Sequence, residues 1–211
     1  MNNMLRSAAA LGLVAITGTA LLTGVDFMTA DRIAAQERRV ILEQLGQMIP
    51  EHHDNQLLDD RFSFRDEQYF PNGQTVVAYR ARQQGAAQAV VLKFDAVSGY
   101  NGNITLLAGI NWDGSLRAVR IISHKETPGL GDAIEAEKSD WVQNFSGRSL
   151  DRPEAEKWAV RRDGGEFDQF TGATITPRAV VEAVRMALEF FRAYQDFLFE
   201  TPPDPAGDVE Q

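Results

Sequence analysis

The sequence predicts an α+β fold in which a single N-terminal transmembrane helix is followed by an antiparallel sheet with packed helices. Residues 7–25 carry no charge, four runs rich in β-branched residues lie between residues 75 and 123, and apolar residues recur every three or four positions after residue 176. These patterns are typical of a membrane helix, of strands and of an amphipathic helix, respectively. A chain of 211 residues can bury one core, so we expect one folded domain.

The composition excludes several classes of function. The formal net charge is −9 and no basic tract occurs, which argues against binding to nucleic acid and against docking onto anionic lipid headgroups. The sequence contains no cysteine, so disulfides, thiolate metal sites and cysteine nucleophiles are excluded.

The uncharged run at residues 7–25 follows Arg6. As a helix it would extend ~28 Å, close to the ~30 Å hydrocarbon core of a bilayer. A cleaved signal peptide is the alternative, but it would place Met28 three residues before the cut, where a small residue is needed. We therefore favour a retained anchor, residues 1–28. The charge of Arg6 predicts a cytoplasmic N-terminus, with the folded domain, residues 29–200, on the opposite side of the membrane.

After the anchor, residues 30–48 are predicted to form an amphipathic helix that ends at Pro50. Its apolar positions are Ile33, Val40, Ile41, Leu45 and Met48. The next loop contains His52, His53 and Asp54, which are possible metal ligands, but adjacent side chains project in different directions and no second cluster occurs. We interpret this loop as solvated and expect no metal site.

Four strands are predicted at residues 75–82, 88–96, 104–110 and 116–123. The sequence RQQGAA, at residues 82–87, joins the first two strands. The sequence NWDGS, at residues 111–115, joins the third to the fourth through an Asp-Gly turn. Asp132 and Glu135 then resemble a capping box, which predicts a helix that continues to about Asn144.

The last helix is the clearest element of the sequence. Thr176 is predicted as its N-cap and Pro177 as its first residue. Its apolar face consists of Val181, Val184, Leu188, Phe191 and Leu198. Because it also carries charges such as those of Arg185 and Glu189, it is expected to pack on a soluble core. Residues 201–211 are expected to form a disordered tail.

Two loops carry residue patterns that suit chemistry or binding. The first is SHKETPGLGD, whose TPGL segment predicts a type II turn. A turn that leads into a helix is the simpler interpretation, but it does not require the polar side chains of His124, Glu126 and Thr127. Gly131 has no side chain, so it leaves the backbone of the loop accessible. Such a loop can present N–H groups and small polar side chains to a planar ligand.

The second loop is DQFTGATITP, which begins at Asp168. Thr171 and Thr174 lie just before the predicted helix, whose free N–H groups and dipole favour a phosphate-sized anion. Gly172 and Ala173 leave room beside these hydroxyls. No neighbouring histidine or lysine would activate a threonine for turnover, so the pattern favours a hydroxyl that receives a group once, from another enzyme. An ordinary helix N-terminus with spare hydroxyls is the alternative.

Both loops resemble those of a known family. The segment from Asp168 to Thr174 matches the pattern Asp-x-x-(Ser/Thr)-Gly-Ala-Thr, at which flavin transferases attach FMN. HKETPGLGD matches the second hallmark of the same FMN-binding domain. With GYNGNITLLAGI, PEHHDN and the single anchor, these motifs make nearly the whole chain similar to the G subunit of the Rnf (Rsx) ion-translocating electron transport complexes.

The resemblance implies a covalent cofactor and a set of partners. FMN would be joined through its phosphate to the hydroxyl of Thr174. The flavin transferase would recognise the rest of the motif, Asp168, Thr171, Gly172 and Ala173. The residues expected near the isoalloxazine are His124, Glu126, Thr127, Pro128, Gly129, Leu130 and Gly131. Such complexes lie in the bacterial inner membrane and couple electron flow between ferredoxin and NAD to Na⁺ or H⁺ movement. A periplasmic domain of the G subunit would relay electrons among the other membrane and peripheral subunits.

Three alternatives stay open. The chain could be a non-redox interaction subunit whose motifs are relics. It could be the C subunit of the Na⁺-pumping quinone reductase, which shares the FMN motif but is longer. A hydrolase with Thr171 or Thr174 as its nucleophile is disfavoured, because neither a base nor an orienting acid is identifiable nearby.

Overall fold

The computed structural model describes residues 11–13, 15–19, 21, 23, 29, 44–49 and 52–204. The chain divides into two compact units, residues 1–44 and residues 45–211. In the first unit, the described positions between residues 11 and 23 are helical. Much of the predicted anchor lies outside the described residues, as do Ile33, Val40 and Ile41 of the predicted amphipathic helix. Within the described residues, no helix combines the length and the apolar content that a bilayer crossing requires.

The second unit is built on an antiparallel meander of five strands in the order β1-β2-β3-β4-β5. The strands are β1 (Arg61–Phe64), β2 (Val76–Gln83), β3 (Ala86–Gly99), β4 (Gly102–Asn111) and β5 (Leu116–Ser123). The four predicted strands and both predicted hairpins are confirmed. In the Asp-Gly turn, the Asn111 N–H donates to the Ser115 carbonyl at 2.9 Å and Gly114 has a φ of 82°. The short strand β1 was not predicted.

The last predicted helix is confirmed as α1 (Ile175–Ala193), followed by α2 (Gln195–Glu200). The predicted start was wrong by two residues, because Thr174 is the N-cap and Pro177 is the third helical residue. A proline is tolerated there because the N–H groups of the first turn have no partner within the helix. Tyr194, with φ −130° and ψ 33°, interrupts the helix, so Leu198 belongs to α2.

The main core lies between α1 and one face of the sheet, where α1 packs chiefly on β3. Its aromatic part joins distant segments: the rings of Phe64 and Phe190 stack with their centroids 4.9 Å apart. Phe190 is 2% exposed, and burial of a side chain of this size contributes about 1.5–3 kcal/mol. This packing fixes the direction of α1, and with it the position of its N-terminus.

The opposite face of the sheet is also covered. Residues 44–48 are helical, and Leu45 and Met48 are fully buried, as the predicted amphipathic helix requires. A Cβ atom at Gly109 of β4 would lie only 2.9 Å from the Met48 carbonyl oxygen. The close approach of this segment to β4 therefore depends on a glycine.

The predicted helix from Asp132 to about Asn144 is wrong. Its place is taken by two short 3₁₀ helices, Gly131–Ile134 and Trp141–Phe145. The Asp132 carboxylate accepts the Gly129 N–H at 2.8 Å, and the Glu135 carboxylate lies 2.8 Å from Nε2 of His124. Both side chains of the expected capping box are therefore bound to the preceding loop.

The predicted tail begins too early. Asp60 contacts the buried Arg80 and the neighbouring Arg82, whose guanidinium groups donate to the carbonyls of Thr201 and Phe199, respectively. The N–H of Asp204 then donates to the Arg61 carbonyl at 2.8 Å. Thr201 is thus bound to β2 and Asp204 to β1, and residues 205–211 lie outside the described residues.

Candidate functional site

Three loops meet at the N-terminal end of α1: the β3–β4 turn, the loop that follows β5 and the segment that precedes α1. The N–H of Asn101, in the turn, donates to the Glu126 carboxylate at 3.0 Å. The hydroxyl of Thr176, in α1, donates to the same carboxylate. A Cβ atom at Gly172 would lie 3.7 Å from Cδ2 of Leu130. The two sequence motifs are therefore neighbours in the fold.

The segment before α1 folds into an exposed turn. The Ala173 N–H donates to the Phe170 carbonyl at 3.1 Å, and Gly172 has a φ of 82°, which is the type II pattern with glycine at the third position. Thr171 and Gly172 are exposed at the tip of this turn. Its glycine is therefore required by the backbone, and its tip is open to a macromolecule.

Asp168 begins this segment and is fixed by two contacts. Its carboxylate lies 3.1 Å from Nε of Arg161, and its carbonyl accepts Nε1–H of Trp141 at 2.7 Å. The Asp168 side chain is 57% exposed, so the ion pair with Arg161 contributes little to stability. The carboxylate remains open to an approaching protein.

Thr174 ends the segment as the N-cap of α1. Its side chain makes no capping hydrogen bond, although threonine commonly makes one at this position. Thr176 differs, because it is 1% exposed and its hydroxyl is bonded to Glu126. Thr174 is half-buried and its hydroxyl makes no capping hydrogen bond at the N-terminus of α1, the end of a helix that favours negative charge.

A cation is held close to the same helix end. Arg178, in the first turn of α1, donates to the Asp163 carboxylate at 2.6 and 3.0 Å. These hydrogen bonds from Arg178 lower the pKa of Asp163. The guanidinium is therefore bound to the loop around residue 163.

The predicted type II turn in the loop after β5 is confirmed. The Leu130 N–H donates to the Thr127 carbonyl at 3.1 Å, and Gly129 has a φ of 77°. Pro128, Gly129 and Leu130 are exposed, with Leu130 at 45%. The outward surface of this loop therefore consists of an apolar side chain, a proline ring and bare backbone.

Three of the other predicted residues of this loop face inward, whereas Thr127 is half-buried. Glu126 is 4% exposed. Nδ1 of His124 accepts the Glu126 N–H at 3.0 Å, so the imidazole proton is on Nε2 and is donated to Glu135. A Cβ atom at Gly131 would lie 2.9 Å from Oγ1 of Thr176. His124, Glu126 and Gly131 therefore stabilise the conformation of the loop and do not form its exposed surface.

Sequence reasoning did not identify the β3–β4 turn as part of the site. Tyr100 is 65% exposed at its tip, next to Asn101. A Cβ atom at Gly99 would lie 2.2 Å from the Gly102 carbonyl oxygen, so the turn depends on glycine. The sequence pattern that could have indicated this turn is an aromatic residue, Tyr100, between two glycines at the end of a strand.

Comparisons with known proteins agree with these motifs. A model of the FMN-binding domain family matches residues 99–189, and a model of the RnfG N-terminal region matches residues 1–48. The G subunit of an ion-translocating oxidoreductase complex from Pseudomonas aeruginosa is 46% identical over 209 residues, which cover 97% of this chain and 96% of that protein. The corresponding subunit from Shewanella oneidensis is 42% identical over 204 residues, 96% of each chain.

The chain belongs to the family of G subunits of ion-translocating oxidoreductase complexes. The residues that match the FMN-binding domain include all three loops of the site. FMN, for which the matched domain family is named, consists of a phosphate, a flexible ribityl chain and a planar ring. In this chain the three loops present the Thr174 hydroxyl at the N-terminus of α1 and the exposed apolar side chains of Leu130 and Tyr100.

Proposed function

We propose that this G-family protein is a membrane-anchored flavoprotein that carries FMN on Thr174, as a phosphoester to its Oγ1 atom, and relays electrons within its complex. The observation that carries the proposal is the Thr174 hydroxyl, which makes no capping hydrogen bond at the start of α1. Thr176 is disfavoured as the acceptor because it is buried and its hydroxyl is bonded to Glu126.

Attachment is a group transfer by a flavin transferase. The bond between Oγ1 of Thr174 and the phosphorus of FMN would form while the phosphoanhydride bond of FAD breaks, AMP would leave, and the hydroxyl proton would pass to a base of the transferase. No electron is gained or lost in this step. The exposed turn at Thr171 and Gly172 and the exposed carboxylate of Asp168 support recognition of the motif, including Ala173, by that enzyme.

When bound, FMN supplies reversible electron transfer. The chain would hold its phosphodiester at the N-terminus of α1, where a helix offsets negative charge by about 0.3–1 kcal/mol at exposed sites. Thr127, Pro128 and Leu130 would lie near the isoalloxazine. A covalent tether replaces binding affinity and prevents loss of the flavin into an open compartment.

The wider context rests on the family and on the sequence. The complex would couple electron flow between ferredoxin and NAD to Na⁺ or H⁺ movement across the bacterial inner membrane, and this protein would exchange electrons with the other subunits. Residues 1–28 would form the anchor with a cytoplasmic N-terminus, residues 29–200 the periplasmic domain, and residues 201–211 a tail of which Thr201 is bound to β2 and Asp204 to β1.

Substitution of Thr174 tests the attachment site. The full chain is co-expressed with a flavin transferase, denatured and examined for flavin fluorescence on a gel. Thr174→Ala should abolish the fluorescent band and leave thermal unfolding nearly unchanged, whereas Thr174→Ser retains a hydroxyl and should keep part of the signal. Flavin that stays attached to the Thr174→Ala protein contradicts the site. A wild-type chain that never gains flavin favours the non-redox interaction subunit instead.

A further inference from the structure

Glu126 is a buried carboxylate at the point where the three loops of the site meet. It is 4% exposed, and its two oxygens have different partners: Oε1 accepts the Asn101 N–H at 3.0 Å, and Oε2 accepts the Thr176 hydroxyl. Both oxygens are therefore used within the protein. We propose that Glu126 is a positioning residue for flavin attachment, which acts through Thr176 and Asn101 without touching the flavin; this inference rests on the proposed function.

The position of Glu126 is itself fixed by its neighbours. Its N–H donates to Nδ1 of His124 at 3.0 Å, and the other nitrogen of that ring donates to Glu135. Cβ atoms at Gly99 and Gly131 would lie 3.0 and 3.1 Å from the Glu126 carboxylate oxygens. The two glycines let the backbone close around the carboxylate and keep water from competing for its hydrogen bonds.

The carboxylate links α1 to the loops on either side of it. Thr176 lies two residues after Thr174, within the same first turn of α1. Its hydrogen bond to Glu126 therefore holds the turn that carries the Thr174 hydroxyl against the loop that carries Leu130. Hydrogen bonds to charged acceptors are stronger and more directional than those between neutral groups, which suits a carboxylate to this task.

The consequence is a prearranged distance between the attachment point and the surface that would receive the ring. Without Glu126, the β3–β4 turn and the loop after β5 lose their shared bond to α1. The Thr174 hydroxyl is then presented in several orientations, and the tethered flavin in several environments. Preorganisation of this kind typically changes rates more than it changes the fold.

The test uses the full chain in detergent with purified flavin transferase and FAD. Glu126→Ala removes both hydrogen bonds of the carboxylate and should lower the initial rate of flavin incorporation by about ten-fold or more. It should also change the visible circular dichroism of the attached flavin. Glu126→Gln keeps an acceptor for the Asn101 N–H and an amide that can hydrogen-bond the Thr176 hydroxyl, and it should restore most of both. Glu137→Ala, at an exposed position nearby, is the matched control and should behave as wild type.

A second variant keeps the inference testable if the Glu126→Ala protein does not fold. Thr176→Val keeps the shape of the side chain and removes only the donor to Glu126, so it should slow incorporation in the same direction. Incorporation and circular dichroism that are unchanged in folded Glu126→Ala and in Thr176→Val overturn the inference while leaving the proposed function intact. A wild-type chain that never acquires flavin overturns the proposed function, and the inference with it.

Discussion

Replacement of Gly131 by alanine should destabilise the domain by about 1.5–5.5 kcal/mol. The new Cβ would lie 2.9 Å from both Cβ of Glu126 and Oγ1 of Thr176, and 3.1 Å from Oε2 of Glu126. Overpacking in a well-packed interior costs about 1–3 kcal/mol, and a lost hydrogen bond to a charged group costs about 1.5–3 kcal/mol. The lower entropy of the unfolded alanine variant offsets about 0.4–1 kcal/mol of that sum.

The assay is thermal unfolding of the full chain in detergent, followed by tryptophan fluorescence. Trp141 and Trp158 are 6% and 4% exposed, so their emission reports loss of the core. The midpoint of Gly131→Ala should fall by about 3–22 °C for a domain of this size. Gly46→Ala is the control, because Gly46 is exposed and an added Cβ meets nothing within 4 Å. A midpoint for Gly131→Ala within about 1 °C of wild type would refute the packing argument.

Two further predictions concern the sheet. Gly109→Ala would place a Cβ 2.9 Å from the Met48 carbonyl oxygen and should destabilise the domain by about 1–3 kcal/mol in urea unfolding, whereas equal stability to Gly46→Ala would contradict the contact. The Ser115 hydroxyl and N–H lower the pKa of Asp113, so the stabilising effect of this carboxylate is present above pH about 3.9 and is lost as the pH falls through its lower folded pKa. Ser115→Ala should raise the pKa of Asp113 in an NMR titration, and an unchanged value would count against the hydrogen bond from the Ser115 hydroxyl.

Elements with local signals could be predicted from the sequence. The Asp-Gly and Pro-Gly turns depend on the φ of one glycine each, Gly114 and Gly129, and neither turn needs a distant partner. The runs rich in β-branched residues predicted four of the five strands of the sheet. Two of the three loops of the candidate site could be located for the same reason, because each of the two motifs is contiguous in the chain.

Elements that depend on distant partners could not be predicted. Asp132 and Glu135 have the spacing of a capping box, but Gly129 and His124 occupy their carboxylates. The hydrogen bond between Thr176 and Glu126 joins residues 50 positions apart in the chain, and no local sequence pattern predicts it. Strand β1 has four residues and is recognised only through its pairing with β2, since short alternating runs occur in many loops.

The most direct test of the central claim is mass spectrometry of the protein isolated from its own cells. The protein is digested, and the peptide that contains both Thr171 and Thr174 is fragmented. We predict the added mass of FMN less one water on Thr174. An unmodified peptide, or the same added mass on Thr171, would contradict the account.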